Sequence, residues 1–488
     1  KRCESKMDIY VVTAIVFLGI YLFAGIYAGK QTKTVEDHYV MSRSAPAFLI
    51  TGTLIASNLS SVTFIGYTGT AAQNGPFAMV ASFGMTVVAS LLIGLWIGKY
   101  FYRMRLLTIP DYFNKRYPGK HVQLLASLIV LVSMTIYMIS VMLGAVVVTQ
   151  NLLGFSPTIS LIVILVIITL FTTIGGMRSV VVTDCIMFVV FLLGALVISP
   201  SIITHLGGME AAVEKAKEAI PHIFVWTGKT PSFTAGMSIL ETNILSLINV
   251  MAAPHLMSRI NIAKSEREFG KAMVYLSIAI PICIISLVYP FSFMSLIESA
   301  SGEADVFPWV AKNLVPPVLG AIGLSGVIAA AISTATSLFQ QASATLSSDI
   351  IKTYFKPDMT EDQLLKVSRI SVVVIAIVVF IGSNNPQIGP ASIMYAFLFA
   401  TACFSSWLPS LIMGVLWRDA TTQGAFWSMA ISLPVIIILA VGRNMGIFPL
   451  WVVPNIIGLI TSTIIMYVVS KFTETTPEQR ELFDSIRR

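Results

Sequence analysis

Ser333, Thr334, Thr336 and Ser337, followed by Ser343, put five hydroxyl groups inside the apolar stretch 319–346. At lipid depth each needs a carbonyl, a neighbouring helix or an ion to satisfy it. Ala330, Ser333, Thr334 and Ser337 recur at i, i+3, i+4 and i+7, so they share one helix face. Neutral oxygens of this kind can replace the water shell of a bare Na⁺ without adding fixed charge. On a chain of many spans, the pattern therefore implies an ion-coupled transporter. Packing by small residues, with Ser and Thr bonded back to the preceding turn, is the competing reading of the same segment.

Other polar groups break the membrane pattern. Positions 56–63 read Ala-Ser-Asn-Leu-Ser-Ser-Val-Thr between apolar ends. Such a stretch suits an unwound helix whose freed carbonyls line a cavity, or else a close helix–helix contact. Asp184 lies within an otherwise apolar span, where an ionisable residue is a functional candidate; it could also cap its helix or pair with Arg178. Glu241, Asn243, Ser246 and Asn249 make one further span unusually polar and suggest a cavity wall. Pro254-His255 reads as a helix terminus rather than a proton relay. Tyr137, Tyr395 and Trp407 are aromatic candidates for a pocket, with core or interface positions as the alternative.

These residues must be positioned by membrane helices. The 488-residue chain is 56% hydrophobic and 11% charged, with a mean hydropathy of +0.84. Soluble domains carry about 25% charged residues. Runs of about 20 apolar residues give thirteen expected spans, numbered helix 0 to helix 12: 9–28, 47–72, 78–98, 124–153, 158–173, 181–203, 233–257, 272–296, 319–346, 370–382, 392–416, 426–441 and 450–469. With the N-terminus outside, 23 of the 31 basic residues fall in cytoplasmic segments, Arg259 counted among them. The positive-inside rule then gives N-out, C-in in the cell membrane. The net charge of +7 is thus topological, and no nucleic-acid partner is expected.

The loops supply no enzyme. There is no Gly-x-x-x-x-Gly-Lys-Ser/Thr, Gly-x-Ser-x-Gly or His-Glu-x-x-His. The four cysteines are scattered and form neither a disulfide framework nor a metal spacing. Residues 208–220 read as an amphipathic surface helix with Val213, Ala216 and Ile220 on one face. The tail beyond Lys471 is polar and short. A non-transporting receptor that keeps the same architecture is the alternative function, and it would need an output domain. No obligatory protein partner is evident; the expected partners are a small organic solute and the lipid bilayer.

Five segments resemble the sodium:solute symporters: 56–66; 107–113 (Leu-Thr-Ile-Pro-Asp-Tyr-Phe); Gly175-Gly176-Met177-Arg178-Ser179 with Thr183-Asp184; Pro254-His255-Leu256 with Arg259; and 329–349. The resemblance implies an all-α, LeuT-like fold with a five-plus-five inverted repeat, helices 1–5 and 6–10, in which helices 1 and 6 are broken. It divides the chain into 1–45 (extra helix and loop), 46–205 (first repeat), 206–232 (external loop), 233–417 (second repeat) and 418–488 (two further helices and tail). It implies a sodium site from the carbonyls of Ala56, Leu59 and Ala330 and the hydroxyls of Ser333 and Thr334. A second sodium set would be Asp184, Thr336 and Ser337. The substrate positions it suggests are Asn58, Val62, Tyr137, Ser246, Val250 and Tyr395. Pro254-His255-x-x-x-Arg259 is most similar to the proline/pantothenate/monocarboxylate branch. Yet Asn58 and Val62 replace an acid and a tryptophan of the proline carriers, and Ser246 and Val250 replace aromatics. A small carboxylate such as pantothenate or a monocarboxylate, or an amide-bearing solute, is the expected cargo.

Overall fold

In the computed structural model, which describes residues 2–30, 32, 34–228, 232–297, 305–384 and 390–487, the chain is helical apart from one bridge. Eleven helices among the described residues are long and apolar enough to span a membrane, and twelve if the bent pair Ala47–Asn58 and Val62–Asn74 is one span. The count falls short of the expected thirteen at helix 4. Its apolar part, Pro157–Thr173, is shorter than a full span and runs on through a kink at Gly176 into helix 5. Gly176 has φ +58°, and a Cβ there would stand 2.7 Å from His38 Nδ1. Only glycine meets both conditions without strain.

Helix 8 occupies the centre. It runs from Pro317 to Phe355, and 83% of its most apolar window is buried, against 22% for the N-terminal span Ile9–Gly29. A helix enclosed on every side needs small residues where neighbours cross it. Gly194 of helix 5 faces Gly323 of helix 8, where a Cβ on Gly194 would meet the Gly323 Cα at 2.7 Å. One turn on, a Cβ at Gly326 would meet the Phe191 Cα at 2.8 Å. The two backbones therefore nearly touch, which brings the next polar residues of both helices within hydrogen-bond reach.

Among the described residues, helices 1 and 6 are each interrupted by an extended residue. Ala47–Asn58 stops at Leu59, which is extended (φ −89°, ψ 96°), and the chain resumes as Val62–Asn74 at a 53° bend. Phe233–Ala252 stops at Ala253 (φ −66°, ψ 122°), and Pro254–Ile262 restarts with proline at its first position. Proline has no N–H to donate and a φ suited to a helix start, so it fits a restart. Pro254-His255 is thus a mid-helix break, not the end expected from the sequence. The far ends of the broken pair are tied by a parallel bridge: Ala45 N–H donates to Ile262 O (3.0 Å) and Lys264 N–H to Ala45 O (2.9 Å).

Two peripheral pieces complete the fold. The expected surface helix is Met209–Ala219, with Ala212, Ala216 and Ile220 buried and Val213 half-buried. The polar tail holds an unexpected amphipathic helix, Pro477–Arg487, which buries Phe483 and Ile486.

Candidate ion and substrate sites

The break in helix 1 faces the hydroxyl-bearing stripe of helix 8. Breaking a helix leaves carbonyls without intrahelical partners, and here Thr334 Oγ1 lies 3.4 Å from both Ala56 O and Ser57 O. Leu59 is the extended residue of the break, and Ala330 lies one turn before Thr334, fully buried. Ser333 donates to Asp184 Oδ1 at 2.6 Å. The five groups of the expected sodium site are thus carried by two facing backbones, with the Ser333 hydroxyl held by the helix 5 carboxylate.

Asp184 does not cap its helix. Its Oδ2 accepts from Thr53 Oγ1 (2.5 Å) and lies 3.4 Å from Arg259 Nη2, with both charged side chains fully buried. Arg259 also donates to Thr53 Oγ1 through Nε (3.2 Å) and Nη2 (3.1 Å), and through Nη2 to Ser57 (3.3 Å) and Ser337 (2.6 Å). Arg259 is therefore a buried counter-ion, not the cytoplasmic loop charge it resembles in the sequence. Two isolated ions at this depth would be costly; pairing plus hydrogen bonds to the remaining polar atoms makes the burial tolerable. Four helices (1, 5, 6 and 8) meet in this network.

The second sodium set is not assembled as the sequence suggests. Thr336 turns back on its own helix and donates to Ser333 O (2.9 Å). Ser337 is engaged by Ser57 (3.1 Å) and Arg259. The positive charge beside Asp184 is already supplied by the guanidinium. Thr53, Ser57 and Arg259 are the participants that reasoning from the sequence missed. The available signal was an arginine five residues beyond a proline in an apolar segment.

Next to the helix 1 break lies a small, partly open cavity of about 20 Å³. Asn58, Val62, Tyr137 and Ser246 line it, together with Ser60, Thr63, Thr86, Asn249 and the rings of Tyr67, Phe83 and Phe397. Val250 lies in a neighbouring apolar cavity that also touches Asn58. Tyr395 is elsewhere: it lines a separate outer cavity with Glu241 and Arg443, and its hydroxyl donates to Ala440 O (3.4 Å). Trp407 is fully buried and stacks on Phe113 and Phe404 as core.

The sodium:solute symporter family profile matches residues 38–432, most of the chain. The chain belongs to that family. Among characterised relatives, this symporter is 27% identical to the sodium/pantothenate symporter of Haemophilus influenzae over 445 residues, covering 88% of this chain and 90% of that one. It is 25% identical to the sodium/proline symporter of Escherichia coli, covering 88% and 87%. In fold it is similar to a Na⁺-coupled sialic acid symporter solved substrate-bound and outward-open, with a TM-score of 0.82 at 18% identity over 95% of this symporter and 98% of that chain. The symporter is therefore a membrane-embedded, sodium-coupled carrier of a small solute and not an enzyme.

Proposed function

We propose that this symporter moves a small organic solute into the cell together with one sodium ion, by alternating access between helices 1–5 and 6–10 arranged as inverted repeats. Sodium is held by the carbonyls of Ala56, Leu59 and Ala330 and the hydroxyls of Ser333 and Thr334. The observation that carries this reading is the 3.4 Å approach of Thr334 Oγ1 to Ala56 O across the helix 1 break. An ion shared by helices 1 and 8 links the element that bends to the element at the centre. The Asp184–Arg259 pair holds Ser333 and Ser337 in place and leaves no free acid there for a second ion. The solute occupies the cavity beside the break, bounded by Asn58, Val62, Tyr137 and Ser246. A small carboxylate or an amide-bearing solute, pantothenate being both, is the leading class.

The distribution of basic residues supports an N-out, C-in topology in the cell membrane. Inward sodium movement then gains about 2.3 kcal/mol per charge per 100 mV of membrane potential. The test is uptake into proteoliposomes under an inward sodium gradient, compared with choline, over pantothenate, short monocarboxylates, proline, sialic acid and a sugar. Sodium-dependent accumulation of one compound supports the reading. Accumulation driven by a proton gradient instead would reject the sodium assignment.

A further inference from the structure

On the cavity beside the helix 1 break two side-chain amides lack a protein partner. Asn58 Nδ2, a donor on helix 1, and Asn249 Oδ1, an acceptor on helix 6, are both buried from solvent and meet no hydrogen-bond partner. Asn249 is 6% exposed. Buried polar groups are nearly always paired, so one orphan donor and one orphan acceptor on the same cavity mark groups left for a ligand. Three other polar side chains of the cavity are occupied: Ser246 donates to Thr242 O (3.0 Å), Thr86 to Ser82 O (3.5 Å), and Ser60 Oγ accepts from Val62 N (3.2 Å); the hydroxyls of Thr63, Tyr67 and Tyr137 complete the polar lining.

Charge narrows the ligand further. No acid or base lines the cavity among the described residues. A carboxylate seated there would find no cationic side chain on the cavity wall. It would also present oxygen lone pairs to Asn249 Oδ1, which needs a donor. A zwitterion's ammonium could donate to Asn249 Oδ1 but would find no carboxylate on the wall to balance its charge. The aromatic wall is continuous, with Tyr137 against Phe397 at 5.2 Å, Phe397 against Tyr67 at 6.4 Å and Tyr67 against Phe83 at 5.8 Å. That wall suits the apolar carbons flanking a polar group.

We propose that Asn58 and Asn249 read an uncharged amide of the substrate: its carbonyl accepts from Asn58 Nδ2 and its N–H donates to Asn249 Oδ1. The inference rests on the sodium-symport reading and deepens it. It selects an amide-bearing solute over a simple monocarboxylate, and it puts any carboxylate of that solute outside the amide subsite. Recognition by a matched pair also gives discrimination, because a ligand lacking the amide leaves both groups buried and unpaired.

The test uses the purified full chain and follows thermal stabilisation in sodium and in choline. The probes are pantothenol (a neutral amide), hydantoin, pantothenate, lactate, proline and myo-inositol. Sodium alone should raise Tm, and this response should be lost in Ser333→Ala/Thr334→Ala; its absence in the unmodified chain would reject the symport reading itself. With that response intact, a neutral amide should bind in sodium while lactate and proline do not. Asn249→Leu and Asn58→Leu should each weaken the amide's binding by about 10-fold or more, and Asn249→Leu should keep the sodium response as evidence of folding. Binding of lactate or proline without any neutral amide, a response to myo-inositol alone, or silence across the panel would each overturn the amide assignment and leave symport standing.

Discussion

Asp184 and Arg259 come from helices that the sequence separates by 75 positions, yet they pair at 3.4 Å with neither side chain exposed. Removing one partner leaves a buried charge uncompensated, which typically costs about 3–5 kcal/mol. Arg259→Ala and Asp184→Ala should therefore each unfold well below the unmodified chain. The double neutral variant Asp184→Asn/Arg259→Gln should recover much of the loss. Thermal unfolding of the detergent-solubilised proteins measures this. A single variant as stable as the unmodified chain would refute the pair's structural role.

The sodium assignment predicts a selective defect. Ser333→Ala and Thr334→Ala remove one oxygen each from the facing stripe and leave the fold's charged pair intact. Losing one ligand oxygen should raise the sodium concentration needed for half-maximal uptake by about 10-fold or more, by the usual cost of an unmade hydrogen-bond-like contact to a charge. Sodium titration of uptake in proteoliposomes is the check. Unchanged sodium dependence in both variants would remove these hydroxyls from the site.

Glycine spacing sets the distance between Asp184 and Ser333. Alanine at position 194 or 326 would place a methyl 2.7–2.8 Å from the opposing Cα atoms of Gly323 and Phe191, both backbone atoms that no rotamer change can move. The gain in helix propensity, about 1 kcal/mol, is set against overpacking of about 1–3 kcal/mol. Overpacking should win and push helix 5 away from helix 8. Gly194→Ala and Gly326→Ala are expected to lower both Tm and sodium affinity. Gly84, which has open space around it, is the control: Gly84→Ala should be neutral or stabilising.

How much of this was legible in the sequence differs residue by residue. The helix 8 stripe could be read because 3.6-residue spacing alone aligns Ala330, Ser333, Thr334 and Ser337. The break in helix 1 was signalled by its run of small polar residues. Pro254 marked the second break, but a proline looks the same at a helix end and at a restart. Arg259 was misread because a basic residue near the end of an apolar run is ordinarily a loop charge, and burial depends on a partner 75 positions away. Thr336 sits one turn beyond Ser333, but its hydroxyl bonds back to its own helix backbone. Tyr395 lies away from the cavity beside the helix 1 break because the chain turns it toward Ala440, where it lines a separate cavity. Asn249 was recognised as unusual polarity. Its unpaired carbonyl oxygen is a tertiary fact that no spacing reveals.

Acid should weaken the fold through His38. This side chain lies outside the spans, in the short helix Val35–Val40, packed edge-on against Tyr39 at 5.1 Å. Burial, reinforced by the charge of Arg369, pulls its pKa down to about 4. The unfolded chain, near 6.5, binds that proton more tightly. Its contribution to stability is thus complete above about pH 6.5 and is lost as pH falls toward 4, amounting to about 3 kcal/mol in all. Unfolding measured from pH 7.5 to 4.5 should show this slope in the unmodified chain and a shallower one in His38→Gln. Parallel profiles would exclude His38 as the source.

The C-terminal helix ties together segments on one side of the bundle. Arg103, at the end of helix 2, donates to Ile486 O (2.8 Å). Arg487 donates to Val415 O and Leu416 O (3.1 and 3.2 Å) at the end of helix 10. Gln479 reaches Thr422 Oγ1 (2.9 Å) at the start of helix 11, and Arg418 pairs with Asp484 (2.7 Å). The ion pair is about half exposed and contributes little. Buried Phe483, by contrast, seats the helix, with Arg116 and Arg487 stacked on its ring at 5.7 and 4.6 Å. Phe483→Ala should therefore cost about 3 kcal/mol or more, while Asp484→Asn changes stability by less than about 1 kcal/mol. Thermal unfolding of the two variants side by side decides it. Equal effects would mean that charge, not the buried ring, holds this helix in place.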